Sequence, residues 1–273
     1  MGTAAALRIT LERSLQHRFP AALTPSARTI YETASTGIPV LDSLLDGGLP
    51  VGAISEISGQ ESSGRTSLAL SFLARRTQDA QVCAWVDAGD ALDPESAAAN
   101  GVDLRRLLWV RCGTPAAKPQ PSKPGTPMAA TSALSQLDQA LRSADLLLQA
   151  GGFAAIVLDL GSIDPASAMR IPLATWFRFR QAADHARTSL LVLGRDSYAQ
   201  SSAALVLDCA PLRARAAGKA AHQTVLTSLE FHAERGRQRF APAPTPIRKP
   251  PASTWSANCT WDISTAPATE KRA

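Results

Sequence analysis

The sequence predicts an α/β fold with a mostly parallel central sheet flanked by helices. Strands alternate with helices along most of the chain, and several strands are apolar on both faces, as strands buried inside a parallel sheet are. A glycine-bearing loop at 59–67 joins a predicted strand to a predicted helix, as phosphate-binding loops do. The length of 273 residues and the hydrophobic content of 45% allow one large domain with a substantial core.

Each element follows from a local pattern. Apolar runs and alternating segments predict strands at 53–57, 82–86, 107–110, 153–158, 190–193, 204–207 and 225–231. Helical periodicity predicts helices at 65–76, 94–100, 132–149 and 172–186. The predicted helix at 132–149 shows the helical pattern most clearly, because leucines recur on one of its faces and the pair Gly151-Gly152 ends it.

Proline content divides the chain into three parts. Residues 1–34 are predicted to form an amphipathic helix and a linker, because apolar residues recur every four positions from 7 to 19. That helix either covers the domain or docks onto a neighbouring chain, and the first role is favoured. Residues 35–240 are the predicted folded domain, which a proline-rich loop at 112–130 interrupts. Residues 241–273 are a proline-rich tail that we expect to be extended and disordered.

Composition and targeting patterns exclude several protein classes. No apolar run approaches the roughly 18 residues of a membrane span, and the N-terminus lacks the apolar core of a secretory signal. We therefore expect a cytoplasmic protein without membrane contact. The four cysteines form no C-x-x-C pair and have no histidine at metal-ligand spacing, so neither a zinc site nor a disulfide framework is predicted.

Positive charge is concentrated in the second half of the chain, whose overall formal net charge is +5. Residues 1–169 hold 13 basic and 16 acidic residues, whereas residues 170–240 hold 11 basic and 5 acidic residues. Such clusters suit phosphate backbones or an acidic protein surface, and the alternative is a solvated arginine-rich face. The candidate contacts are three arginines on a predicted helix, two in a predicted loop and three around a predicted hairpin turn at Gly236: Arg178, Arg180, Arg187, Arg213, Arg215, Arg235, Arg237 and Arg239.

Two tryptophans in the proline-rich tail are further candidate contacts. Trp255 and Trp261 lie in a segment that is otherwise polar. They either form a short docking motif that becomes ordered on binding or pack back onto the domain of their own chain. The sequence favours neither the docking motif nor the packing onto the same chain.

The loop at 59–67 has the phosphate-binding pattern G-x-x-x-x-G-K-S/T with one departure, since Arg65 replaces the lysine. Successive backbone N–H groups and a helix N-terminus form an anion site there. Thr66 would place a hydroxyl near Mg²⁺, and Asp159, which ends an apolar strand, would orient the water shell of that ion. The alternative is a glycine-bearing turn that binds nothing. The candidate nucleotide-binding residues are Gly59, Glu61, Ser62, Ser63, Gly64, Arg65, Thr66 and Ser67.

A series of short blocks resembles the core of the RecA recombinase family from about residue 35 to residue 208. The resemblance is dense up to Asp103 and implies a RecA-type phosphate-loop core. The blocks that carry it are Ser35-Thr36-Gly37, Leu41-Asp42, Gly47 to Gly52, Gly59 to Gly64, Asp87-Ala88, Ala91 to Pro94, and Gly101-Val102-Asp103.

The departures from that family lie at the residues that carry its catalysis, nucleotide binding and DNA binding. Besides Arg65, the water-activating glutamate of the family is Gly89 here, and glycine cannot act as a general base. The adenine-stacking aromatic is Ser96, and the polar sensor pair is Gly194-Arg195. The two DNA-binding loops are expected to be shortened or missing, and the proline-rich tail is expected to stand in place of the C-terminal domain.

Among RecA-like chains, this one most resembles the ImuA family. That resemblance implies an accessory protein of SOS-induced translesion DNA synthesis and mutagenic repair, with little or no catalysis of its own. It implies an ImuB-like, Y-family polymerase-like protein as direct partner and an error-prone replicative-type polymerase as indirect partner. RecA or DNA are further expected contacts, and ATP with Mg²⁺ is expected to bind weakly or not at all.

Two other functions remain open at this stage. The first is an active ATPase acting on DNA or on RecA filaments, in which Arg65 binds phosphate and Asp90 or a partner residue activates water. Gly89 and Ser96 argue against the ATPase, so the accessory protein with little or no catalysis, called the adaptor below, is favoured. The second is inhibition of cell division, for which the sequence offers no distinct motif.

Overall fold

A computed structural model describes residues 31–113, 128–217, 225–238 and 251–258. The helices are α1 (Pro39–Leu44), α2 (Arg65–Gln78), α3 (Pro94–Ala99), α4 (Met128–Ala150), α5 (Pro165–Ala168) and α6 (Leu173–Ala186). The strands are β1 (Thr33–Ala34), β2 (Leu49–Pro50), β3 (Ile54–Ser58), β4 (Cys83–Asp87), β5 (Leu107–Arg111), β6 (Ala155–Asp159), β7 (Ser189–Gly194), β8 (Leu205–Ala217), β9 (Val225–Gln238) and β10 (Ala252–Asn258).

The central sheet has eight strands in the order β10-β9-β8-β3-β7-β6-β4-β5. The six strands from β8 to β5 pair in parallel, and β9 and β10 add an antiparallel extension. The predicted α/β class with a mostly parallel sheet is therefore confirmed. Because β3 lies between β7 and β8, the loop that leaves its carboxyl end is surrounded by the ends of neighbouring strands, where α/β proteins bind ligands.

The parallel strands are apolar on both faces because both faces are covered. In β6, Val157 packs into the layer that contains α2, whereas Ile156 and Leu158 pack into the layer that contains α4 and α6. All five residues of β4 and all six of β7 are buried. This double burial is the physical reason that the predicted strands read as continuous apolar runs.

Helix α2 follows the glycine-bearing loop without a break. It begins at Arg65, directly after Gly64, whose φ of +87° is a left-handed conformation that glycine adopts without strain. Leu68, Phe72 and Leu73 face the core, so the apolar face of the helix fixes the loop against the sheet. The predicted helix at 65–76 is correct to within two residues.

The predicted loop and turn around the arginines of the second half are wrong. Arg213 and Arg215 lie in β8, and Arg235 and Arg237 lie in the paired strand β9. The segment from Arg213 to Ala216 alternates large and small residues, which is a strand pattern. Both strands therefore extend well beyond the predicted 204–207 and 225–231.

The prediction of a disordered tail is wrong for residues 252–258, which form the edge strand β10. Trp255 and Ala257 pack onto the core, whereas Thr254 and Ser256 are exposed. This alternation drives the strand to bury one face, even though prolines precede it. The rest of the tail, including Trp261, lies outside the described residues.

Other predictions also fall outside the described part of the chain. They are the N-terminal helix, Arg239 and the proline-rich loop from 114 to 127. The helix after that loop begins at Met128, inside the predicted loop boundary of 130. The domain boundaries at 34 and 240 stay predictions. None of the described helices combines the length and apolarity that a membrane-spanning segment requires.

Candidate nucleotide site

The phosphate loop connects the carboxyl end of β3 to the first turn of α2 and surrounds a small cavity. This cavity has a volume of about 240 Å³ and is lined by Glu61 to Ser67 together with Leu229 and Phe231 from β9. The hydroxyl of Ser63 is buried and has no hydrogen-bond partner among the described residues. An unpaired donor beside the N-terminus of a helix fits an anion such as a phosphate group. The structure thus brings the predicted nucleotide-binding residues together.

Strand β9 forms the outer wall of this cavity. A Cβ atom on Gly64 would lie 2.6 Å from Cγ of Phe231, so the ring packs directly on the loop. Trp255 supports that ring from behind, with 5.2 Å between the ring centroids. The tail strand β10 is therefore part of the structure that fixes the phosphate loop, and Trp255, 7% exposed, is packed inside its own chain.

Arg65 points its guanidinium into the site, toward the carboxyl ends of three strands. Its Nη1 donates hydrogen bonds to the carbonyl oxygens of Gly59 and of Gly194, the latter at 3.0 Å. Its Nη2 packs closely on Gly161, where an added Cβ would lie only 2.5 Å away. The side chain that replaces the family lysine is thus engaged with the chain itself.

The two predicted metal-site residues line one larger cavity of about 540 Å³. Thr66 contributes from the first turn of α2, and Asp159 contributes from the end of β6. Asp159 Oδ1 accepts a hydrogen bond of 2.9 Å from the N–H of Gly161. Burial, with a smaller contribution from the carboxylate of Asp87, raises the pKa of Asp159 to about 6, although the Gly161 N–H and Arg65 oppose the rise. A hydroxyl and a carboxylate are ligands that suit Mg²⁺ or its water shell.

Ser162 occupies the space beside Gly89, the residue that the resemblance to RecA places at the position of a general base. A Cβ atom on Gly89 would lie 2.5 Å from Cβ of Ser162 and still closer to its hydroxyl. The neighbouring Asp90 forms two hydrogen bonds of 2.5 Å with Arg111. These bonds lower the pKa of the Asp90 carboxyl and hold it at the sheet edge.

The other carboxylates that line the larger cavity within the described residues already have partners. Glu61 pairs with Arg195 at 2.7 Å, and Asp93 accepts the N–H of Ser96 at the start of α3. The hydrogen bonds from Ser96 lower the pKa of Asp93. Ser96, which the resemblance to RecA matches to an adenine-stacking aromatic, itself lines the cavity.

Two buried acids shape the site, although the sequence analysis did not assign them. Asp87 accepts the N–H groups of Ala91 and Leu92 and so folds the loop that carries Gly89. Glu56, in the middle of β3, accepts the N–H groups of Tyr198 and Ala199 and fixes the segment after β7. A charged residue inside an otherwise buried strand is the sequence signal that could have identified Glu56.

Six of the candidate DNA or partner arginines have side chains that the structure describes, and four of these six are paired with acids. The ion pairs are Arg178 with Asp145 at 3.0 Å, Arg187 with Glu32 at 2.7 Å, Arg215 with Glu230 at 2.5 Å and Arg235 with Asp46 at 2.9 Å. Arg180 and Arg213 are exposed, on α6 and β8 respectively. Pairing on this scale favours the solvated-face interpretation over one continuous basic surface.

Comparison with known proteins connects this geometry to the RecA proteins. Residues 11–116 match the family model of the RecA N-terminal domain, which is less than half of the chain. RecA from Crocosphaera subtropica is 43% identical over 122 residues, covering 45% of this chain and 31% of that protein. RecA from Arthrospira platensis is 51% identical over 86 residues, covering 32% of this chain and 24% of that protein.

The structural likeness extends over more of the chain. A crystal structure of the RadB recombinase superposes with a TM-score of 0.52 at 18% identity and covers 81% of this chain and 94% of that one. The fold is accordingly a RecA-type phosphate-loop core, as the sequence predicts. The chain spans about a third of the length of the curated relatives it matches.

Proposed function

We propose that this chain is a RecA-like accessory protein of SOS-induced translesion DNA synthesis that acts through protein contacts rather than through its own ATP hydrolysis. Its direct partner in this proposal is an ImuB-like, Y-family polymerase-like protein, with RecA or DNA as further contacts. The observation that carries the proposal is the packing of Ser162 against Gly89. The likeness to RecA supports the assignment to DNA repair.

The chemical argument starts from the water that attacks a terminal phosphate. That water needs a residue that orients it or accepts its proton, within hydrogen-bond reach. Gly89 has no side chain, and Ser162 fills the volume that a longer residue there would need. Asp90 is held by Arg111, and Glu61 and Asp93 have partners of their own. A site with this arrangement supports binding better than turnover.

A nucleotide can still serve as a structural ligand in this proposal. The phosphate loop and the unpaired Ser63 hydroxyl fit phosphate oxygens, and Thr66 and Asp159 fit Mg²⁺. When bound, Mg²⁺ would offset phosphate charge beside the loop. The residues of this chain would bind and orient the nucleotide, whose presence would stabilise the fold by mass action.

The alternative is a working ATPase, and the retention of both Thr66 and Asp159 in one cavity favours it. In that case a second chain would have to supply the group that activates water. The two functions differ in what happens when the phosphate loop is altered. The adaptor keeps its partner contact and its role in mutagenesis, whereas the ATPase loses both.

The test uses Arg65→Ala together with Arg105→Ala, a matched control at an arginine that is 90% exposed on its side chain. Capture of the ImuB-like partner and damage-induced mutagenesis are measured for both variants in cells that lack the native protein. We expect both variants to behave as the wild type, and purified protein to show no Mg²⁺-dependent ATP turnover. Loss of both functions in folded Arg65→Ala alone would contradict the proposal and support the ATPase.

A further inference from the structure

Backbone groups of the surrounding chain contact the guanidinium of Arg65 on two sides. It bonds to two carbonyl oxygens, one at the start of the phosphate loop and one at the end of β7. On its other side it packs on Gly161, just after β6. A side chain at position 161 would collide with Nη2 of Arg65. A glycine at 161 is therefore compatible with an arginine at 65.

A lysine could not make these contacts in the same way. Its ammonium is a single compact charge, whereas the planar guanidinium carries several N–H donors in a fixed arrangement. In the phosphate-loop pattern the lysine reaches the β- and γ-phosphates. At this position Arg65 directs donors to the carbonyls of Gly59 and Gly194, which would lose those bonds if the side chain turned toward a ligand.

We propose that Arg65 acts as an internal cation that closes the site to the terminal phosphate of a nucleoside triphosphate, so that the phosphate loop binds a nucleoside diphosphate. The inference deepens the proposed function, because it names the ligand class of a site that need not hydrolyse ATP. A diphosphate leaves the contacts of Arg65 intact. A third phosphate requires that the guanidinium leave two carbonyls unpaired, which is costly in a partly buried site.

The rest of the loop remains suited to the two phosphates that this proposal retains. The smaller cavity is open along Ser62 to Ser67, with the unpaired Ser63 hydroxyl in its wall. Arg65 lies beside that cavity, so its positive charge favours an anion there without having to move. Specificity for a diphosphate therefore needs no residue beyond those already in place.

The test is calorimetry of the purified chain with Mg·ADP and with the Mg²⁺ complex of a non-hydrolysable ATP analogue. We expect the wild type to bind ADP at least tenfold more tightly than the analogue. Arg65→Lys should remove or reverse that preference, because the lysine releases both carbonyls and can reach a terminal phosphate. Arg75→Lys, on the exposed face of the same helix, is the matched control and should leave the ratio unchanged.

Gly161→Ala provides an independent variant that keeps Arg65. Its methyl group displaces the guanidinium, so it should shift the preference toward the triphosphate analogue even if Arg65→Lys does not fold. Equal binding of both nucleotides by the wild type, absence of ADP binding, or an unchanged ratio in both variants would overturn the inference. Partner capture is measured on the same preparations, so a failure of the proposed function would appear separately as loss of the partner.

Discussion

The two sides of the nucleotide site differ in how far they depart from the RecA pattern. On the phosphate side, the loop, Thr66 and the unpaired Ser63 hydroxyl keep the arrangement of an anion site, and Phe231 and Trp255 support it. On the other side, called the hydrolytic side here, Ser162 occupies the space beside Gly89, where the resemblance to RecA predicts a general base. The two sides thus differ in the room they leave, because the phosphate side leaves a cavity whereas a side chain at Gly89 would meet Ser162.

The phosphate side should be the more sensitive to substitution. Gly64→Ala adds a methyl group at a left-handed residue and 2.6 Å from Phe231, so strain and overpacking combine. We expect a loss of about 2–4 kcal/mol in the free energy of unfolding, measured by denaturant titration, together with loss of nucleotide binding.

Gly151→Ala is the matched control for that substitution. Gly151 also has a left-handed φ, of +68°, but an added Cβ there meets no atom within 4 Å. It should therefore cost only about 1 kcal/mol, which is the strain alone. Equal losses for the two variants would show that Phe231 does not support the loop.

On the hydrolytic side, a new acid at position 89 should not produce catalysis. Gly89→Glu places a glutamate where the resemblance to RecA predicts a general base, but the new side chain meets Ser162. We expect a loss of about 1–3 kcal/mol in stability and no Mg²⁺-dependent ATP turnover. Adding Ser162→Gly should return most of the stability. Turnover in the single variant would show that the hydrolytic side had lost only its base and not its architecture.

The sequence predicted the parallel sheet and the strand–loop–helix arrangement of the phosphate loop because these depend on local patterns, whereas the role of Thr66 and Asp159 as metal residues stays a prediction. Apolar runs, a glycine-bearing loop and an acid after a strand are each visible within a few residues. The sequence left open an ATPase in which Asp90 activates water. In the structure Arg111 holds that carboxylate at the sheet edge, which argues against that role.

The contacts that decide the chemistry were not predictable, because they join distant parts of the chain. Ser162 is far from Gly89 in the sequence, and the carbonyl of Gly194 is farther still from Arg65. The strand around Trp255 was missed for a different reason. It is short and directly follows prolines, so its brief alternation was not recognised, and its pairing with β9 stabilises it.

Asp159 lies between the two sides of the site, and its ionisation couples the stability of the fold to pH. The pKa of Asp159 is raised from its ordinary value of 3.8 to about 6 in the folded protein. Between these two pH values the folded protein keeps a proton on Asp159 that the unfolded chain has released. Ionisation of Asp159 therefore lowers stability as the pH rises from about 4 to about 6, and the cost remains at higher pH.

Asp159→Asn removes that charge without changing the shape of the side chain. We expect a higher melting temperature than the wild type at pH 8 and no difference near pH 4, measured by calorimetric melting in the absence of Mg²⁺. Asp164→Asn, at an exposed carboxylate that caps α5, is the control and should show no such gain at pH 8. Excess Mg²⁺ should narrow the gap at pH 8 by stabilising only the wild type, because a bound cation favours the ionised carboxylate. A gap that is insensitive to pH and to Mg²⁺ would mean that Asp159 is a packing residue on the hydrolytic side rather than a metal residue on the binding side.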